Sequence, residues 1–198
     1  MKRFFDIAFS LTGLILLSPL FIIISIIIYF DSGYPIFYKA IRVGLNKGEF
    51  KFIKFRTMIP NSDKSYITIG DNDPRITRTG SYLRKFKLDE LPQLFNVLKG
   101  DMSFVGPRPD IAKYSPYYEK GYKDYYKIKP GITSYSSIYF SNEAELYKNI
   151  DDPELLYINQ TIPRKIELDK KYFDNISVVH DFKIILVTVW KLIKCNEE

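Results

Sequence analysis

Cysteine and histidine are nearly missing from this chain: each occurs once in 198 residues, as Cys195 and His180. One cysteine builds neither a disulfide framework nor a cysteine-based metal site, and it fits a reducing compartment. One histidine excludes a multi-histidine metal centre and argues against a His-based catalytic triad. His180, just ahead of a helical stretch, is read as structural. No internal repeat or low-complexity tract divides the sequence, and its length suits one domain with a real core. Helix-turn-helix, zinc and RNA-binding signatures are missing too. The net charge of +6 therefore speaks for an anionic membrane or a phosphorylated substrate ahead of nucleic acid. The turn-rich loop Asn61–Gly80, with Asp71-Asn72-Asp73-Pro74, lacks the spacing of a calcium loop, so no metal is assigned there.

What the chain does have begins with an apolar run. From Ile7 to Phe30 there is no charged residue, and a straight helix of roughly 20 residues crosses a bilayer. The run is too long for the core of a signal peptide, and no small-residue cleavage site follows it. It is read as membrane-embedded. Ser18-Pro19 falls near its middle. Proline removes a backbone donor and disfavours helix at the residue before it, so a break is expected, and the Ser18 hydroxyl can bond a carbonyl freed there. Each half makes about 18 Å of helix, enough to reach the middle of the hydrocarbon and return. A kinked spanning helix and a re-entrant hairpin both fit these facts. Basic residues prefer the cytoplasm and lie on both flanks, Lys2 and Arg3 before the run and Lys39, Arg42, Lys47, Lys51, Lys54 and Arg56 after it; that favours the hairpin.

The rest of the chain is organised around Leu83–Pro109. Pro92, the apolar positions Leu91, Leu94, Phe95 and Leu98, and Gly100 spell a short helix starting near Leu91. The adjacent carboxylates Asp89 and Glu90 then stand at its N-terminus, where unpaired N–H groups favour ionised acids. Capping is the ordinary reading of such a pair. An ionised aspartate is also a nucleophile for phosphorus or a one-oxygen ligand for magnesium. Its neighbours favour the second reading. Arg84 lies just upstream on another short helix, and Arg108 is held between Pro107 and Pro109 in Gly-Pro-Arg-Pro. Arginine grips phosphate bidentately, and the prolines restrict the backbone that carries it.

Ile36–Tyr38 and Phe50–Phe55 read as a β-hairpin around Gly44, Asn46 and Gly48. The second strand ends in Lys54-Phe55-Arg56-Thr57-Met58, whose cations are either a solvated edge or phosphate ligands. Tyr114–Tyr126 alternates tyrosines with lysines and is assigned to the lipid–water interface. Lys129-Pro130-Gly131-Ile132-Thr133 is a tight turn, and Glu143–Asn159 is a polar helix. Asp181–Lys194 is a helix with an apolar stripe at Phe182, Ile185, Leu186, Val189 and Ile193; a core helix and one lying in the membrane surface suit it equally.

Taken in this order, Ser18-Pro19, Lys54-Phe55-Arg56-Thr57-Met58, Leu88-Asp89-Glu90-Leu91-Pro92-Gln93-Leu94, Gly106-Pro107-Arg108-Pro109, Lys129-Pro130-Gly131-Ile132-Thr133 and the helix opening Asp181-Phe182-Lys183-Ile184 resemble the small monotopic phosphoglycosyl transferases, bacterial sugar transferases that start surface-glycan assembly on polyprenyl phosphate. The resemblance implies an α+β fold: a re-entrant membrane hairpin over 1–34 bent at Ser18 and Pro19, and a cytoplasmic catalytic domain over 35–198 with interfacial amphipathic helices and a small sheet around the active site. It implies that Asp89 is the nucleophile and a magnesium ligand, that Glu90 assists it, and that Arg84 and Arg108 contact the phosphate. Lys54, Arg56, Pro107 and Pro109 belong with them as substrate-binding residues. A uridine-diphosphate sugar, polyprenyl phosphate and membrane lipids are the implied partners, at the cytoplasmic face of a bacterial inner membrane; a homo-oligomer is compatible. The chain departs from the family after Thr133, where Ser134-Tyr135-Ser136-Ser137 replaces a glycine-aromatic segment, and this leaves the sugar open. Two rivals predict different behaviour: a non-enzymatic module binding anionic lipid, and an aspartate-dependent lipid-phosphate phosphatase.

Overall fold

The computed structural model describes residues 2–60, 62, 67, 68, 70 and 73–194. Asn61, the Asp71-Asn72 half of the expected turn and Cys195 lie outside them.

Helix α1 (Lys2–Leu16) and helix α2 (Ser18–Ser32) meet at a bend of 60°. The missing N–H of Pro19 leaves the Ile15 carbonyl without its helical donor, and Ser18 Oγ supplies one at 2.8 Å. No single helix among the described residues is long and apolar enough to cross a membrane; the bent pair passes that test together. Ile24 and Ile28 of α2 turn inward and pack with Phe55 and Leu83. Phe4, Phe9, Leu16, Ile22, Ile26 and Phe30 stay exposed. Lys2 and Arg3, expected only as flanking charges, tie α1 to the remainder. Lys2 donates to Val105 O and pairs with Asp181, both at 2.9 Å. Arg3 donates to Val97 O and Leu98 O at 2.5 and 2.7 Å, capping a helix C-terminus. Buried Asp6 accepts from Ser103 Oγ and Phe104 N at 3.1 and 3.2 Å.

Strands β1 (Phe37–Val43) and β2 (Glu49–Phe55) form the expected antiparallel hairpin, pairing Phe37 with Phe55 and Val43 with Glu49. After the loop, Thr77 caps helix α3 (Arg78–Lys85), its hydroxyl accepting from Gly80 N at 2.9 Å. Then come helix α4 (Gln93–Lys99) and strand β3 (Ser103–Val105). The tight turn expected at Lys129–Thr133 is instead strand β4 (Gly131–Thr133), paired parallel with β3. Gly106 and Gly131 lie back to back: a Cβ on Gly106 would stand 2.3 Å from Lys129 O, and one on Gly131 2.1 Å from Gly106 N. Only glycine fits at both.

The assignment of Tyr114–Tyr126 to the lipid interface is corrected. Between helix α5 (Ser115–Gly121) and helix α8 (Ile162–Phe173), Tyr114, Tyr118, Tyr125 and Tyr126 are buried with Tyr147, Tyr157, Ile162 and Ile166. Tyrosines belong in a core when their hydroxyls find partners, and Asp110 provides one for Tyr118 and Asp169 one for Tyr125. Two further differences concern helices. Helix α6 (Tyr135–Tyr139) follows β4. The helix expected over Glu143–Asn159 breaks into a 3-10 turn Glu143–Tyr147, helix α7 (Pro153–Leu156) and a π-turn Tyr157–Thr161 before α8, because Pro153 and Pro163 each start a new segment. Helix α9 (Val178–Lys194) buries Asp181 and Ile184 while Phe182, Leu186, Val189, Trp190 and Ile193 stay exposed. It adjoins α1 through Phe182 on Phe5 and Phe9.

Candidate active site

Short elements deliver the charged groups. Lys54 comes from β2, Arg84 from the last turn of α3, Asp89 and Glu90 from the 3-10 turn Leu88–Glu90, and Arg108 from the turn after β3. Lys87, at φ 53°, takes the left-handed conformation that ends α3 and redirects the chain into the 3-10 turn. The helix expected from Leu91 starts at Gln93 and ends, as expected, at Gly100, φ 100°. No side chain caps it. The expectation that its N-terminus holds Asp89 and Glu90 ionised is therefore corrected, along with the capping reading; other groups set their charge.

Glu90 is locked. Arg108 Nη2 and Nη1 donate to its Oε1 and Oε2 at 2.6 and 3.3 Å. Burial alone would raise the Glu90 carboxyl, but the charge and hydrogen bonds of Arg108, with Lys87 and Lys54, outweigh burial and bring it to about 2. Glu90 in turn pushes Arg108 above its ordinary value.

Asp89 is not locked. It is 5% exposed, its Oδ2 stands 4.0 Å from Lys54 Nζ, and its Oδ1 has no hydrogen-bond partner. Burial raises its pKa against the pull of Lys54, and the negative Glu90 raises it further. Burial lowers Lys54 against the pull of Asp89. Two adjacent carboxylates thus have opposite environments. One is a neutralised fixed ion. The other is a poorly solvated base with an unused oxygen, which is what a nucleophile requires.

Arg84 donates from Nε to Thr57 Oγ1 at 3.1 Å, and its charge acts on both Asp89 and Lys54. Pro107 and Pro109 flank Arg108 and line a small cleft with it, beside Tyr125 and Tyr126. Arg56 is the expected substrate ligand that the structure does not bring to the pair. It is 4% exposed, and its Nη2 donates to Ser32 O, Ser32 Oγ and Gly33 O at 2.8, 2.7 and 2.8 Å, closing the C-terminus of α2. Ser18 and Pro19 lie at the bend. Thr57, Lys87 and Asp110 are not among the site residues singled out from the sequence. Lys87 combines a positive φ with a 2.9 Å bond to Ser141 O, and neither has a local signature. Asp110 had one signal, its place directly after Gly-Pro-Arg-Pro.

The family model for bacterial sugar transferases matches residues 1–195. The chain is 36% identical over 193 residues to the uncharacterized sugar transferase EpsL of Bacillus subtilis, covering 98% of this chain and 87% of that protein. It is 34% identical over 196 residues to the UDP-glucose:undecaprenyl-phosphate glucose-1-phosphate transferase of Escherichia coli, covering 96% of this chain but 40% of that protein. It is 33% identical over 192 residues to the UDP-N-acetylgalactosamine-undecaprenyl-phosphate N-acetylgalactosaminephosphotransferase of Aeromonas hydrophila, 95% of this chain and 42% of that one. On these matches the chain belongs to the bacterial sugar transferase family, and it is a phosphoglycosyl transferase.

Proposed function

We propose that the protein transfers a phosphosugar from a uridine-diphosphate sugar to polyprenyl phosphate at the cytoplasmic face of a bacterial inner membrane, releasing uridine monophosphate. The names of the Escherichia coli and Aeromonas hydrophila relatives support the acceptor and donor class. The observation that carries the assignment of roles is the contrast at the pair: both Glu90 oxygens are taken by Arg108, while Asp89 Oδ1 is unpaired.

Asp89 attacks the phosphorus that bears the sugar. A carboxylate–phosphorus bond forms, the bond to the bridging oxygen breaks, and uridine monophosphate leaves with the electron pair. An aspartyl phosphosugar remains. Polyprenyl phosphate then attacks the same phosphorus, releasing Asp89 and giving a polyprenyl-diphosphate sugar. The sugar C1–O bond is never broken, so the anomeric configuration is retained. Lys54, Arg84 and Arg108 supply positive charge around the phosphoryl oxygens, and most of the rate acceleration is positioning and charge stabilisation.

Magnesium fits this site. The unpaired buried oxygen of Asp89 is a suitable hard ligand, and magnesium accepts one or two carboxylates beside waters and substrate phosphates. Among the described residues no group of three or more potential metal ligands gathers anywhere, so substrate phosphates would complete the set. When bound, the ion neutralises the charge of the diphosphate.

In this reading residues 1–34 form a re-entrant anchor bent at Ser18-Pro19, with both flanks in the cytoplasm, and 35–198 form the catalytic unit. The exposed apolar residues of α1, α2 and α9 support contact with lipid. The test is incubation with magnesium and a series of UDP-sugars, including UDP-glucose and UDP-N-acetylgalactosamine, without polyprenyl phosphate. About one uridine monophosphate per active site should appear and then stall, resuming when acceptor is added. Inorganic phosphate as the product would favour the phosphatase. No turnover with any donor and acceptor, together with lipid binding indifferent to Asp89→Asn, would favour the non-enzymatic module.

A further inference from the structure

Asp110 directly follows the Gly-Pro-Arg-Pro turn, and its carboxylate turns away from the reacting pair into the tyrosine core. Oδ1 accepts from Ile111 N at 2.7 Å. Oδ2 accepts from the Tyr118 hydroxyl at 3.0 Å and from the Tyr157 hydroxyl at closer range. Its backbone carbonyl accepts from Val43 N at 2.9 Å, tying the turn to the end of β1. The two hydroxyls are 3.2 Å apart. Burial, then the charge of Asp110, pushes both phenols well above their ordinary range, so each is a hydrogen-bond donor at neutral pH. Tyr157 opens the π-turn before α8, an irregularity common at functional positions. Lys165 Nζ sits 4.8 Å over the Tyr157 ring and pairs with Glu143 at 2.8 Å.

Phenylalanine would fill this core without the cost of burying two hydroxyls. The hydroxyls instead converge on one carboxylate at the exit of the arginine turn. The entrance is fixed independently, by the Gly106–Gly131 backbone contact and the 3.0 Å bond from Gly131 N to Pro107 O. We propose that Asp110, Tyr118 and Tyr157 form a positioning device for Arg108, clamping the far end of its turn so that the guanidinium meets Glu90 and the substrate phosphate at one fixed place. These residues touch no reacting atom and act through Arg108. That Arg108 holds a substrate phosphate rests on the function proposed above; that its turn is clamped does not.

Two readouts separate the claims. The first is hydrogen exchange over 106–111 in the full-length protein, followed by mass spectrometry, which needs no substrate. Losing a hydrogen bond to a charged group should accelerate exchange there by about tenfold or more in Tyr157→Phe, with α4 unchanged. The second is uridine monophosphate release from whichever donor the wild type uses. Tyr157→Phe should lower it about tenfold with Arg108 present but less than about twofold in the Arg108→Ala background, the mark of a shared path. Tyr118→Phe, and Asp110→Asn, which keeps an acceptor, should show smaller effects of the same pattern and serve if Tyr157→Phe fails to fold. Unchanged exchange over 106–111, or equal losses in both backgrounds, would overturn the proposal. Changed exchange in a protein that turns over no donor would retain the clamp and reject the phosphate reading.

Discussion

Adjacent carboxylates with opposite environments should respond oppositely to loss of charge. In Glu90→Gln the two-point pair with Arg108 becomes neutral-to-charged. Charge-assisted hydrogen bonds contribute about 1.5–3 kcal/mol when buried. Glu90 is 16% exposed but Arg108 is 38% exposed, so solvent recovers part, and a loss of about 1–2 kcal/mol remains. For a chain of this size that is a fall in Tm of roughly 2–8 °C. Asp89→Asn should do the reverse. Its carboxyl has a raised pKa in the folded protein, chiefly from burial, so at neutral pH the ionised form is less favourable folded than unfolded. Removing that charge should leave Tm unchanged or higher while abolishing turnover. The pH dependence has the matching sign. The Glu90 contribution is present above its ordinary value of 4.5 and is lost as pH falls toward about 2. The Asp89 penalty is absent in acid and grows as pH rises through its raised value. The assay is thermal unfolding of both variants in one detergent across pH, beside activity. Equal destabilisation by both, or a larger loss for Asp89→Asn, would refute this division of roles.

Wild-type activity should fall in acid at a pH above the ordinary carboxylate value of 3.8, since Asp89 is raised by burial, and in alkali below the ordinary lysine value of 10.5, since burial lowers Lys54; pH–rate profiles check both limbs. Because Lys54 opposes the raised Asp89 pKa, Lys54→Met should move the acid limb to higher pH, and an unmoved limb would remove Lys54 from the site. Arg108→Lys keeps the charge but not the two-point grip, so release of uridine monophosphate should fall at least tenfold with Tm lowered by a few degrees at most. Pro19→Ala restores a donor to Ile15 O and displaces Ser18 from it; a cysteine tag ahead of Met1, which spares the Lys2–Asp181 pair, should be labelled from the same side as a cysteine at Lys39 in wild type and partly from the opposite side in the variant.

What could be read in advance was local. Ser18-Pro19 announces its bend because the missing donor and the compensating hydroxyl are neighbours, and the Ser18–Ile15 bond follows. Gly100 ends α4 for an equally local reason. The hairpin of β1 and β2 followed from alternation and its glycine-rich turn. What was illegible depends on distant partners. Tyr118 and Tyr125 look interfacial until Asp110, behind the arginine turn, and Asp169, 44 residues beyond Tyr125, satisfy their hydroxyls. Lys129–Thr133 looks like a turn because a three-residue parallel strand has no pattern of its own and exists only against Ser103–Val105. At the site, the carboxylates and arginines were visible as residue types. Which acid is held and which is not was settled by the reach of Arg108 across to Glu90, and Arg56 was drawn away by the carbonyls ending α2.

The most direct test of the central claim is mass spectrometry of the protein after it has met magnesium and its UDP-sugar without acceptor. Digestion should place one sugar-phosphate on Asp89, lost when polyprenyl phosphate is added and absent from Asp89→Asn. An adduct on Glu90, or uridine monophosphate released with no adduct on either acid, would contradict it.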